Sequence, residues 1–147
     1  MSALIRPFCL EDVAELVEME RTIFSVPWSE QQFIDLLKRD YCLYMVAQKE
    51  EKIVAFAGLT ILVDEGDVDK VMVAESCRGQ GIAEKMMQEL LKEARRRGVK
   101  EFTLEVRAGN IPAIRLYEKL GFVSEGIRPR FYDKPVEDAM IMWRRKR

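Results

Sequence analysis

Arg78-Gly79-Gln80-Gly81-Ile82-Ala83 stands between a strand-like run, Val68-Asp69-Lys70-Val71-Met72-Val73, and a long amphipathic stretch, which commits the middle of the chain to a strand–turn–helix unit. Glycines at 79 and 81 put no Cβ in the way, so successive backbone N–H groups can face an anion lying on the helix N-terminus, where the helix dipole also favours negative charge. Arg78 adds a formal positive charge beside it. The six residues read as a pyrophosphate cradle, although a plain strand-to-helix turn uses the same residue types. A Walker A loop is excluded, because Gly81 is followed by Ile82-Ala83 where Lys-Ser/Thr is needed. A dinucleotide fingerprint fails as well: its third glycine is replaced by Glu84, and the segment follows apparent hairpins instead of opening a βαβ unit.

The flanking pattern extends this unit to the whole chain. Ala3 to Phe8 predicts a first strand, and a helix follows from about Glu11 to Phe24 with Val13, Leu16, Val17 and Ile23 on one stripe. Ser29-Glu30-Gln31-Gln32 is a capping box for a second helix that turns Phe33, Leu36 and Leu37 inward. Leu43 to Gln48, Ile53 to Val63 and Asp67 to Val73 predict an antiparallel meander leading into the cradle. Beyond it, Ala83, Met86, Met87, Leu90, Leu91 and Ala94 form a helical stripe, with Arg95-Arg96-Arg97 in the last turn and Gly98 at C′. Phe102, Leu104 and Val106 alternate with Thr103, Glu105 and Arg107, which turns Glu105 away from the buried face. Asn110 caps a helix from Ile111 to Leu120 that Gly121 ends, and strands near Phe122 to Gly126 and Asp138 to Trp143 close the chain.

Composition narrows the function. A chain of 147 residues, 48% hydrophobic and 33% charged, suits one domain spanning 1–147 with a real core. Its net charge of -1 argues against a DNA-binding surface. No apolar stretch reaches membrane-span length and Met1 to Arg6 carries no signal-peptide character, so a cytoplasmic protein without membrane attachment is expected. Cys9, Cys42 and Cys77 lack C-x-x-C spacing and are read as structural thiols. The chain has no histidine, so the usual general base and the usual metal ligand are both missing. Proton transfer falls to Glu, Asp, Tyr, Lys or water, and no metal is expected.

The cradle, with its Arg/Gln-x-x-Gly-x-Gly/Ala pattern, and the order β-α-α-β-β-β-α-β-α-β-β resemble the GNAT superfamily of N-acetyltransferases over nearly the whole chain. Pro27-Trp28-Ser29, Thr103-Leu104-Glu105-Val106-Arg107, Asn110 with Ala113, Leu116-Tyr117-Glu118-Lys119-Leu120-Gly121-Phe122 and Glu137-Asp138-Ala139-Met140-Ile141-Met142 are most similar to the RimI ribosomal-protein-alanine N-acetyltransferases. The resemblance implies an α/β GNAT fold, with a mixed, mostly antiparallel sheet flanked by about four helices, and acetyl-CoA as co-substrate. It implies a protein N-terminus as acceptor, specifically the N-terminal alanine of a small-subunit ribosomal protein. The sequence departs from RimI-like chains at Asp67 and Lys70, where Glu and Asn are common, and at Ala83, where glycine often stands.

By the same resemblance Glu105 takes the proton from the substrate ammonium, Tyr117 protonates the departing thiolate, and Asn110 touches the cofactor. Val71, Met72 and Val73 pair their backbone with the pantetheine arm, and the Val73 N–H polarises the thioester carbonyl. Read without the family, Glu105 is a solvated strand residue, Tyr117 a core tyrosine and Asn110 a helix cap. An α-amine, with a pKa of about 8, needs less help to deprotonate than a lysine at about 10.4, which favours an N-terminal acceptor. Trp28, Tyr41, Phe131 and Tyr132 are candidates for walling the acceptor groove, and Arg144-Arg145-Lys146-Arg147 for touching a ribosomal or RNA surface. Acetylation of lysine or a small amine, and a non-catalytic acyl-CoA-binding module, are the competing readings.

Overall fold

Apolar residues in unbroken runs or at every second position bring seven segments of this chain into one sheet. The computed structural model describes residues 3–146, so the expectations for Met1, Ser2 and Arg147 fall outside it. In chain order the elements are β1 (Leu4–Pro7), α1 (Val13–Ile23), α2 (Glu30–Leu36), β2 (Cys42–Lys49), β3 (Lys52–Leu62), β4 (Glu65–Val73), α3 (Ile82–Arg96), β5 (Glu101–Arg107), α4 (Ile111–Lys119), β6 (Val123–Tyr132) and β7 (Glu137–Arg144). The strands lie in the order β1-β2-β3-β4-β5-β7-β6, and every neighbouring pair is antiparallel except β4 with β5. This is the predicted mixed sheet with four helices.

The boundaries differ in instructive ways. Residues Leu10–Asp12 form a 3₁₀ turn before α1, where a continuous helix is predicted from Glu11. Leu37 is 41% exposed instead of facing inward, because α2 stops at Leu36. The closing hairpin reaches Tyr132 and Glu137, which pair with each other, well beyond the predicted end near Gly126; between Arg128 and Tyr132 the register is interrupted.

Each face of the sheet carries its own apolar layer. The α3 stripe packs Met86, Met87, Leu90 and Leu91 against Leu59, Val68, Phe102 and Leu104. Each fully buried side chain of this size is worth about 1.5–3 kcal/mol. Gly98, at φ 95, ends α3 as the predicted C′ residue. The opposite face is aromatic: Phe8 and Phe33 meet Phe56 edge-on at 5.3 and 5.5 Å between ring centres, and Tyr44 stacks on Phe56 at 5.2 Å. Gly58 is required beneath that stack, since a Cβ there would fall inside the Tyr44 ring. No helix among the described residues is long and apolar enough to cross a membrane.

Two irregularities in β4 matter most. Opposite β3, Lys70 pairs with Gly58 and Val68 with Leu59, so Asp69 is an extra, bulged residue. A bulge bends its strand and shifts the alternation of side chains. Accordingly Val68, Val71 and Val73 pack with the α3 layer whereas Met72 joins the aromatic layer. The parallel pairing of β4 with β5 ends at Val68 opposite Leu104, although β4 continues to Val73 and β5 to Arg107. The two strands splay, and a slit opens through the sheet.

Candidate active site

Backbone hydrogen bonding decides which β4 groups face the slit. The Ala74 N–H donates to the Val54 carbonyl at 2.8 Å, so in the alternating antiparallel ladder Met72 spends its N–H and C=O on Phe56 of β3. Val71 and Val73 present theirs to the open side. The expectation that Met72 shares in pantetheine pairing is therefore corrected: its backbone is committed to β3 and its side chain is buried in the aromatic layer. Val73 further accepts at its carbonyl a 3.2 Å hydrogen bond from Arg78 Nε, which ties the end of β4 to the cradle.

The cradle has the geometry that its glycines permit. Gly79 and Gly81 lie at φ 79 and 77, in the left-handed region, and nothing stands within 4 Å of where a Cβ would be on either. Gly81 is the N-cap of α3 and offers no side-chain cap, so the first-turn N–H groups of the helix are left for an incoming acceptor. Ile82 is buried in the α3 layer, which orients that turn, while Ala83 is half-buried. Gln80 accepts from Lys49 Nζ at 3.2 Å. An anionic group fits here.

At the slit lies a cavity of ≈ 610 Å³ whose walls include Val71, Glu105, Asn110 and Tyr117. Four predicted site residues from four different elements or caps thus converge. None of the three free cysteines lines it. Glu105 projects from β5 opposite Phe102 and Leu104, as the alternation predicts. Its Oε2 is buried and has no hydrogen-bond partner among the described residues; the Arg128 guanidinium stands 3.5 Å away. Tyr117 is held in the α3 layer against Phe122, and burial, followed by the nearby Tyr132, raises its pKa, so the hydroxyl is a proton donor at neutral pH. Asn110 caps α4, its Oδ1 accepting from the Ala113 N–H at 3.3 Å.

Of the four aromatic candidates, only Phe131 and Tyr132 line the cavity. Trp28 packs instead against Phe33 and Phe56, and Tyr41 is 46% exposed away from it. Burial pushes the Tyr132 pKa up to about 12, with Glu105 adding to the shift. The basic tail turns back onto the fold: Arg145 forms ion pairs with Glu125 at 2.7 Å and Glu101 at 3.6 Å. A second cavity of ≈ 550 Å³, bordered by Arg95, Lys100 and Arg144, contains none of the candidate catalytic or cofactor-binding residues.

Three contributors are given no site role by the sequence. Arg107 donates to the Asp133 and Pro135 carbonyls at 3.0 and 2.9 Å, holding the β6–β7 hairpin across the cavity mouth. Asp69, the bulge residue, accepts from Tyr44 and Thr60 hydroxyls at 2.8 and 2.6 Å. Asp67 shares this face and its pKa is pushed up to about 6, first by loss of hydration and then by Asp69 and Glu105. The cavity wall thus carries the carboxylates of Asp69 and Glu105 beside the cations of Lys70 and Arg107. Among the described residues no cluster is arranged to hold a metal ion.

Residues 13–122 match the model of the Acetyltransferase (GNAT) family. The [ribosomal protein bS18]-alanine N-acetyltransferase of Escherichia coli strain K12 is 34% identical over 133 residues, 89% of each chain. The enzyme of the same name from Haemophilus ducreyi is 31% identical over 95% of this chain and 97% of its own. The crystal structure of the ribosomal-protein-S18-alanine N-acetyltransferase from Escherichia coli superimposes with a TM-score of 0.88 at 31% identity, covering 96% of this chain and 92% of that one.

Proposed function

Because this chain belongs to the acetyltransferase (GNAT) family, we propose that it is a single-domain enzyme acetylating the N-terminal α-amine of a protein, with the N-terminal alanine of a small-subunit ribosomal protein as its acceptor. Acetyl-CoA is the co-substrate, as in the family, and its thioester supplies the acyl carbon. The cradle of Arg78, Gly79, Gln80, Gly81, Ile82 and Ala83 would hold the pyrophosphate, and the backbone of Val71 with the Val73 N–H the pantetheine arm.

Glu105 accepts a proton from the substrate ammonium, directly or through water, and frees the nitrogen lone pair for attack. The Val73 N–H donates to the carbonyl oxygen as negative charge develops there. Tyr117 gives its proton to the departing sulfur as the C–S bond breaks and the C–N bond forms. Transfer is direct, with both substrates bound together. The observation that carries this reading is the buried Glu105 Oε2, which makes no hydrogen bond among the described residues, in the same cavity as the Tyr117 hydroxyl. A cytoplasmic location follows from such an acceptor.

The test is to incubate the protein with acetyl-CoA and an Ala-initiated peptide from the ribosomal protein, free or N-terminally blocked, and to locate the acetyl group by mass spectrometry. Label on the α-amine of the free peptide alone is expected. Label on lysine side chains of both peptides would move the assignment to lysine acetylation.

A further inference from the structure

Position 20 of α1 falls on the buried stripe with Val13 and Leu16, yet it holds a glutamate that is 0% exposed. Such a group needs partners, and one of its two oxygens has them, while Oε2 makes no hydrogen bond among the described residues. Lys70 Nζ lies 2.9 Å from Glu20 Oε1, and the Trp28 backbone N–H donates to the same oxygen at 2.9 Å. The Lys70 ammonium also sits 4.1 Å from the centres of both the Phe24 and the Trp28 rings. One buried lysine thus joins the bulged strand β4 to both ends of the 24–28 segment that follows α1. Between those ends Ser25 and Val26 line the acceptor-side cavity, together with Phe24.

A buried ion pair adds little net stability compared with an apolar pair of similar size, so its retention here is explained better by the geometry it enforces. Lys70 is also one of the positions at which this chain departs from RimI-like sequences. We propose that Glu20 and Lys70 are positioning residues for the acceptor: they clamp the 24–28 segment as a fixed strap, against which the first residues of the incoming peptide are held in front of Glu105. The inference rests on the N-terminal acetyltransfer reading for its substrate, but the clamp itself is testable without it.

In a Trp143→Phe background Trp28 is the sole tryptophan and reports on the strap. Glu20→Gln and Lys70→Met should raise the KM for an Ala-initiated peptide about ten-fold or more, leave kcat and the acetyl-CoA KM within about two-fold, and shift Trp28 emission to the red as the ring is released. Lys70→Arg, which keeps the charge, should restore most of the peptide KM. If a single variant does not fold, the Glu20→Met/Lys70→Met double variant replaces the pair by apolar volume and should show the same rise in peptide KM. An unchanged peptide KM with unchanged Trp28 emission overturns the clamp, as does a loss confined to kcat or to acetyl-CoA. Should the wild type acetylate no peptide, the functional reading fails and Trp28 emission alone decides: a red shift in Lys70→Met reversed in Lys70→Arg upholds the clamp, and a wild-type spectrum refutes it.

Discussion

Glu105 and Asp67 lie within electrostatic reach of each other, with opposite consequences. Glu105→Gln keeps the size and removes the proposed base, so kcat should fall by about 10²–10⁴-fold while acetyl-CoA binding, followed by calorimetry, stays at the wild-type level. A variant with near-normal kcat would assign the proton to another group. Asp67 has its pKa raised from the ordinary 3.8 to about 6, which means that the folded state holds this proton more tightly than the unfolded chain does. Its contribution to stability is therefore complete below about pH 4 and is lost as pH rises through about 6. Asp67→Asn should consequently melt at a higher temperature than the wild type at pH 8 and with no such gain at pH 4, read from thermal unfolding at the two values. Asp69 and Glu105, the neighbouring carboxylates behind part of that shift, would lose a repulsive partner in the variant.

Among the elements, the cradle separates folding from binding more cleanly than any other segment. Gly81→Ala places a side chain at φ 77, a strain of roughly 1–2 kcal/mol, but meets no neighbouring atom. The variant should lose a few degrees of melting temperature and keep its fold, whereas its KM for acetyl-CoA should rise by much more than that small loss implies, because the added methyl enters the space proposed for the pyrophosphate. An unchanged acetyl-CoA KM would remove the cradle from the binding site. The cradle was legible in the sequence because a short glycine pattern before a helix acts locally, and the same holds for the Asn110 cap and the outward turn of Glu105. The bulge at Asp69 was not legible. Whether a strand carries an extra residue is fixed by its register with a partner, here β3, so Val68-Asp69-Lys70-Val71-Met72-Val73 reads as plain alternation until Gly58 and Leu59 are placed beside it. The expectation for Met72 comes from a resemblance that covers the run Val71-Met72-Val73 as a whole, and a strand motif does not separate the residue whose backbone faces β3 from its two neighbours. Glu20 escaped for a related reason: periodicity marks where apolar residues recur, and says nothing of a charge satisfied by a residue 50 positions away.

At the scale of the molecule, the sheet divides the work between its faces. The cradle sits at the head of α3 on one side, and the carboxylates of the groove open on the other. The slit left by β4 and β5 beyond Val68 and Leu104 is the passage between them. The fold thus behaves as a wall with a window, where the two reactants arrive from opposite rooms and meet in the opening. Neither has to leave for the other to enter, so double-reciprocal plots of initial rate against one substrate, at several fixed levels of the other, should intersect; parallel lines would mean that acetyl passes through an intermediate held by the protein. The same layout governs inhibition. A molecule lodged at either door leaves the other unobstructed, and competition with both reactants at once requires a single compound long enough to pass through the window.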